Sequence, residues 1–383
     1  MVFLINKISG EYYRKTLLSI LYLCKIDRFM EFEIIKELLE KFEGIEKDRI
    51  EGEKVILMPD FFVDHFLLFE SFEKDFSRIQ KIYRQGGGNV PGVLQRIHQG
   101  GNAANTALAL SKLGPKVHLI CKTDNLGKHL LEFFCKNTTI DLSGVKTDGE
   151  IAITTAMEFG KNHSNVLVGD TGSVSNFDFD TLDDSDFQNI KESNITGVVN
   201  WSLNKCGTSL AKKVFVFAKK YGVRTFFDTG DPSHRREEIP DLIRNVISDR
   251  CLDIFGINEN ELMHFTEGNS TNTSQKQIDL AKKFKKSISA RVDLHTASFS
   301  CSFDETCTVI PTFKFSNIYR ATGAGDTWNA GNLFGELIGL SAGERLLFAN
   351  MLAGHYISSP IALHSNLEEM KTFIRTKLKN TSD

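Results

Sequence analysis

Residues 320–332 read RATGAGDTWNAGN: a glycine, an alanine and a glycine stand directly before an acid, Asp326, and the chain then takes up helical spacing. Small residues let a backbone approach a ligand closely, and the first turn of a helix carries unpaired N–H groups, so Gly323, Ala324 and Gly325 form a cradle for an anion. A carboxylate beside an anion is repelled unless its task is to take a proton from a group about to attack that anion. Asp326 is therefore the candidate general base, and the successive amides would hold the charge of a transferred phosphoryl group. The plain alternative is a tight strand-to-helix turn with Asp326 as a helix cap. Ala330, Leu333, Phe334 and Leu337 mark the buried face of the helix.

Working outward, short β-rich runs alternate with helical patterns: KVILM (54–58), KVHLIC (116–121), GVVNW (197–201), RTFFD (224–228), DIFGI (253–257) and ARVDLH (290–295). SLAKKVFVFAKKYG (209–222) and SQKQIDLAKKFKKSI (274–288) lie between some of them. This alternation predicts an α/β domain with a mainly parallel sheet covered by helices on both faces. Residues 66–100 and 150–170 break the pattern and read as antiparallel strands without a covering helix, a small sheet placed as a lid over a pocket. The lid segment holds Arg78, Lys81, Arg84, Arg96 and His98, with Ile79, Ile82, Tyr83 and Ile97 as its apolar alternatives; strand alternation sends one set inward.

The chain has 383 residues, 41% of them hydrophobic, and a formal net charge of −3. That length builds a full core, and the charge offers no basic footprint, so neither nucleic acid nor a membrane is an expected partner. Seven cysteines without a CxxC pair fit a reducing cytoplasm, with Cys301 and Cys307 as free thiols in strands flanking a turn. The apolar run from Thr16 to Cys24 is too short to span a bilayer. MEFEIIKELLEKFEGI (30–45) is an amphipathic helix, with residues 1–29 as an extension ahead of it. The acidic run FDFDTLDDSDF (177–187) lacks calcium-loop spacing and reads as helix caps. GGGNVPG (86–92) lacks the GxGxxG spacing of a dinucleotide loop, which weighs against a redox enzyme.

A second small-residue segment, GGNAANTALALSKLG (100–114), couples Gly100 and Gly101 with Asn105, whose amide suits polyol hydroxyls, and with alanines that let a helix pack under a sheet. Together with TGAGD at 322–326, about 220 residues later, it makes the sequence resemble the ribokinase family of sugar and nucleoside kinases, also called the phosphofructokinase-B family. The resemblance covers roughly residues 52–375 and looks closest to archaeal-type members. It implies a ribokinase-like αβα sandwich with a small β-sheet lid, residues 1–51 as extension and helix, and 376–383 as a tail.

The resemblance makes Asp326 the base and the amides of Ala324, Gly325 and Asp326 the anion hole. Asp64, in MPDFFVDHF, would grip two sugar hydroxyls beside Gly100, Gly101 and Asn105. Asn258 and Glu261, in GINENEL, match the NxxE motif that organises Mg2+ through water, a segment the residues alone give as a helix cap. Thr296, Thr322 and Asn350 would contact the nucleotide, ATP or ADP. It implies a cytoplasmic kinase acting on a sugar, sugar phosphate or nucleoside, pentose-type acceptors first, with a homodimer through the lid. A catalytically silent sugar- or nucleotide-binding regulator is the alternative from another class. Arg320-Ala321 replaces the Asp-Thr that contributes to a monovalent-cation site in many members, and His295, Thr296 and Ala297 stand where glycine is more usual.

Overall fold

The apolar runs of the sequence become the middle of a nine-stranded sheet. In the computed structural model, which describes residues 32–160, 164–266, 273–313, 315, 317–361 and 363–382, the strands are β1 (Lys54–Met58), β2 (Phe62–Phe69), β3 (Leu94–Gly100), β4 (Lys116–Leu119), β5 (Cys121–Lys122), β6 (Ile140–Asp141), β7 (Val145–Lys146) and β8 (Ala152–Phe159). They continue as β9 (Ser164–Asp170), β10 (Ile195–Val198), β11 (Arg224–Asp228), β12 (Ile254–Asn258), β13 (Arg291–His295), β14 (Phe299–Phe303) and β15 (Cys307–Pro311). The extension expected over 1–29 lies outside the described residues.

The large sheet has the order β15-β14-β13-β12-β11-β10-β1-β4-β6 and is parallel except where β14 and β15 close its edge as a hairpin. Strands buried on both faces read as continuous apolar runs, which is why KVILM and RTFFD were legible as strands. Cys301 and Cys307 sit in the hairpin strands as free thiols; Cys307 faces Phe303 in register, and Cys301 faces Val309. The acidic run supplies caps as expected: Asp178 and Asp183 each close a capping box, the second at the start of the Asp184–Lys191 helix. β5 and β7 form a separate two-stranded pair.

The lid is a four-stranded sheet, β3-β2-β8-β9, in which β2 pairs antiparallel with β3 but parallel with β8. One expectation fails here. FSRIQKIYRQGGGNV is not a lid strand: Phe72–Arg84 is a helix, started by Ser71, whose side chain accepts from Lys74 N–H at 3.2 Å. Phe72, Phe76 and Ile79 recur at helical rather than alternating spacing, and Phe72 and Phe76 stack at 4.4 Å while both rings meet Phe159 at the end of β8. The glycines that looked like a hairpin turn, Gly86–Gly88, all have positive φ and end the helix. Arg78, Lys81 and Arg84 thus belong to this helix, and Arg78 pairs with Asp75 at 3.1 Å.

The compact unit holding both sheets runs from Lys47 to Asn366. The helix over 32–44 and the helix Leu367–Ser382 belong to a second unit, within which Arg375 pairs with Glu43 at 2.9 Å. No helix among the described residues is long and apolar enough to cross a membrane.

The helices Ala324–Leu337 and Ala342–Ile357 are tied to the sheet by a charge cluster around Asp293 on β13, which has no exposed surface. Its carboxylate accepts from Arg345 Nη1 (2.9 Å), Arg291 Nε (3.0 Å), Asn332 Nδ2 (3.0 Å) and Ser302 Oγ (2.6 Å). Although burial alone would raise it, the two guanidinium groups hold its pKa well below the usual carboxylate range. Asp293→Ala leaves Arg345 buried with only the more distant Glu336 carboxylate, at 3.9 Å, beside it, so it is expected to cost about 3–5 kcal/mol, measured by urea unfolding at neutral pH; a loss under about 1 kcal/mol, the scale of an exposed ion pair, contradicts the assigned role.

Candidate functional site

In the large sheet β1 is flanked by β10 on one side and β4 on the other, so the chain winds away from β1 in both directions. Crevices at the carboxyl ends of such strands, where the order reverses, are where open α/β sheets place ligands. At this end of β1 sits Asp60, fully buried. It accepts from the N–H groups of Asn102 and Ala103 and from Asn200 Nδ2, each at 2.8 Å. Asp60 thereby caps the Asn102–Lys112 helix from outside its own chain segment, where the local N-cap, Gly101, has no side chain to do so.

Capped this way, the helix presents Asn105, whose Nδ2 donates to Asp326 Oδ2 at 3.0 Å. Asp326 is the third residue of the Ala324–Leu337 helix, after an N-cap, Gly323, at φ 80°. A Cβ on Gly323 would lie 2.8 Å from the Tyr356 hydroxyl oxygen. The Ala324 N–H is turned back to Ala321 O at 3.1 Å, whereas the Gly325 and Asp326 N–H groups have no backbone partner among the described residues. Of the three expected anion-hole amides, two are free to meet a ligand. Burial pushes the Asp326 pKa well above its ordinary value, the nearby charges of Asp228, Asp60 and Asp64 push the same way, and the Asn105 bond opposes them.

A cavity of about 610 Å³ opens beside these groups, between the inner face of the lid and the segments around 319–323 and 356–364. Asp64, Asn105, Thr322 and Gly323 line it. Asp64 is on β2 opposite His98, and its pKa is raised to about 6, first by desolvation and then by the charge of Asp60, with a Thr154 hydrogen bond opposing. The paired glycines have distinct duties. A Cβ on Gly100 would collide with the Asp64 carboxylate at 2.2 Å, and Gly101 takes φ 93° against the Phe61 backbone.

Asn258 and Glu261 form a capping box at the start of the Glu259–Phe265 helix: Glu261 Oε1 accepts from Asn258 Nδ2 at 2.7 Å and Oε2 from Asn258 N–H at 2.9 Å. Glu261 is buried, and desolvation followed by the charge of Asp228 lifts its pKa well above normal. Asp228, at the end of β11, accepts from Asn329 Nδ2 at 2.7 Å, leaving Asn329 Oδ1 buried without a partner; Thr229 Oγ1 is likewise orphaned. Two buried carboxylates and two orphaned oxygens suit a hydrated Mg2+, which keeps several of its waters. No cluster of three or more His, Cys, Asp or Glu side chains stands ready as a direct metal cage among the described residues.

The nucleotide candidates are less alike. Thr322 lines the cavity. Thr296 is occupied in the turn between β13 and β14, donating to Phe299 O at 2.8 Å. Asn350 is buried, accepting from Trp328 Nε1 at 2.9 Å. Trp328 in turn stacks on His295 at 4.8 Å, and burial keeps His295 neutral with its pKa pushed down to about 4. The sequence reading missed this stack, which joins segments far apart in the chain, and the wall made by Tyr356 and His364, whose rings are parallel within 5° at 4.5 Å across the turn that follows the Ala342–Ile357 helix.

The model of the pfkB family carbohydrate kinases matches residues 73–369. The chain is 25% identical to a 5-dehydro-2-deoxygluconokinase of Geobacillus thermodenitrificans (strain NG80-2) over 294 residues, 71% of this chain and 81% of that protein. The Arabidopsis thaliana ribokinase complexed with ribose and ATP matches with a TM-score of 0.66 at 18% identity, over 85% of this chain and 98% of that one. A protein from E. coli classed as ribokinase II, in complex with ATP and Mg2+, matches with a TM-score of 0.67 at 15% identity, over 85% of this chain and 99% of that one. The fold is ribokinase-like.

The raised pKa of Asp64 has a consequence for stability. Its folded value of about 6 exceeds the unfolded value of about 3.9, so the ionised form opposes folding; the penalty is absent below about pH 4, grows between about pH 4 and 6, and is complete above. Asp64→Asn is therefore expected to raise Tm by roughly 2–4 °C near pH 8 and by much less near pH 4.5. Thermal unfolding at the two pH values checks this, and an equal gain at both would contradict it.

Proposed function

This chain belongs to the pfkB family of carbohydrate kinases, and from that membership we propose that it transfers the terminal phosphoryl group of ATP to a hydroxyl of a sugar, sugar phosphate or nucleoside, with pentose-type acceptors preferred. The observation that carries the reading is the half-buried Asp326 carboxylate, in hydrogen-bond contact with a cavity-lining amide and placed at the first turn of a helix with two unpaired N–H groups. An acceptor hydroxyl oriented by Asp64 and Asn105 gives its proton to Asp326 as its oxygen forms a bond to the terminal phosphorus. The bridging bond to the nucleoside diphosphate breaks, and that diphosphate leaves with the electron pair. The amides of Gly325 and Asp326 face the charge that this transfer spreads over the phosphoryl oxygens. A base whose pKa is raised toward neutrality is better matched to this step than an ordinary aspartate.

Glu261, oriented by Asn258, and Asp228 would hold Mg2+ through water. The ion's contribution is to neutralise phosphate charge. The archaeal-type resemblance keeps ADP as a donor to be compared with ATP, and 5-dehydro-2-deoxygluconate, for which the Geobacillus relative is named, joins ribose and nucleosides among the acceptors to be compared. Asp326→Asn preserves size and the contact with Asn105 but cannot accept the proton. It is expected to lower kcat by on the order of 10²-fold or more while nucleotide affinity, read by calorimetry, stays within a few-fold. Retention of more than about a tenth of wild-type turnover would remove Asp326 as the base.

A further inference from the structure

We propose that the acceptor carries an anionic group, carboxylate or phosphate, held between Arg96 on the lid and Arg320 on the facing wall of the cavity; the proposal rests on the kinase reading above. The register of the lid decides which face looks inward. Asp64, Phe66 and Leu68 on β2 lie opposite His98, Arg96 and Leu94 on β3, and Asp64, Phe66, Leu68, His98 and Arg96 line the cavity, whereas His65 and Ile97 lie on the other parity. Arg96 and His98 thus face inward and Ile97 does not. Arg320 reaches the cavity from the opposite wall.

The two arginines differ in their partners from the arginines buried in the fold. Arg235, Arg291 and Arg345, all largely buried, each meet a carboxylate. Among the described residues, Arg96 and Arg320 form no ion pair. Arg320 spends one N–H on Pro360 O at 3.1 Å and another on the Tyr356 hydroxyl, with its guanidinium 5.7 Å from the centre of that ring, which leaves further donors of its five for a ligand. His98 stands in the field of both: its pKa is lowered by burial first, then by Arg320, then by Arg96. The three side chains thus share one region of the cavity, and a neutral His98 adds a polar edge without adding charge.

The remaining acids place this region. Asp64 is at the catalytic end, and Glu158 also lines the cavity, one strand further from β3 than Asp64 and level with Leu68. Arg96 is two residues further along the lid than His98, about 7 Å from the level of Asp64. An acceptor whose hydroxyls meet Asp64 therefore extends along β3 toward Arg96, with Arg320 on the facing wall. A neutral sugar would leave two guanidinium groups that form no ion pair among the described residues facing a largely aromatic and apolar wall; a carboxylate or phosphate would accept paired, charge-assisted hydrogen bonds from them.

The test compares kcat/KM, with ATP and Mg2+, for ribonate and ribose 1-phosphate against ribose and adenosine, in wild type and in Arg96→Gln, Arg320→Gln and the two Arg→Lys variants. One of the anionic acceptors should exceed the neutral ones by roughly 10- to 100-fold, and each Gln variant should reduce that ratio at least about 10-fold, mainly through KM, with partial recovery in Lys. The ribonate and ribose 1-phosphate arms separate carboxylate from phosphate. Preference for a neutral acceptor, or a ratio unmoved by both Gln variants, overturns the proposal while leaving phosphoryl transfer standing. Thermal-shift binding of the same compounds separates the two readings: arginine-dependent binding of an anion without transfer to any acceptor would overturn the kinase reading and keep the anion site, and neither binding nor transfer would overturn both.

Discussion

Asp60 accepts three hydrogen bonds in a place closed to water, and the placement of the site follows from them. One carboxylate ties the end of β1 to the start of the Asn102–Lys112 helix and, through Asn200, to the turn after β10, across the point where the strand order reverses. Without that external cap the helix would begin at a glycine with no side chain to satisfy its first amides. Asn105 is held to Asp326 because the helix start is held to Asp60. Removing the Asp60 carboxylate would loosen two amides, an asparagine and the angle at which the two helices meet.

The same region gathers acids that oppose one another. Asp60, Asp64, Asp228, Glu261 and Asp326 all have raised pKa values, burial being the largest cause for each. Such a cluster costs stability at neutral pH. Three helix starts, at Asn102, Glu259 and Ala324, bring their positive ends to this side of the sheet and offset part of the repulsion. The fold's stiffness is provided elsewhere, by the apolar strands and by the paired charges around Asp293. The site is where consistency gives way to function.

How much could be read from the chain alone depended on whether the cause was local. Gly323, Asp326, Asn105 and Gly100 announced themselves because backbone approach and helix starts demand particular residues at fixed spacing. Even there, the reason for Gly100 was not visible: it makes room for the Asp64 carboxylate, thirty-six residues earlier in the chain. Phe72–Arg84 is a helix rather than the expected strand because Ser71 caps it and Phe72, Phe76 and Ile79 take helical spacing, a signal that its glycine-rich end masks. The inward face of β3 was undecidable, since a register shift by one residue exchanges Arg96 and His98 for Ile97. Arg320 could be seen as a departure from a family pattern, but its company, Tyr356 and Pro360, comes from segments that meet only in the fold.

The central claim is that the fold keeps Asp326 as a desolvated carboxylate poised to accept a proton. Its direct test is a pH titration followed by carbon-13 NMR of labelled aspartate side chains, with the Asp326 resonance assigned by its absence in Asp326→Asn. The account predicts a pKa clearly above the usual carboxylate value of about 3.9 in the nucleotide-free protein, lowered or raised further only when Asn105 or its acidic neighbours are changed. A resonance that titrates at or below the ordinary value would mean that Asp326 is a solvated or cation-paired helix cap, and the account would fail.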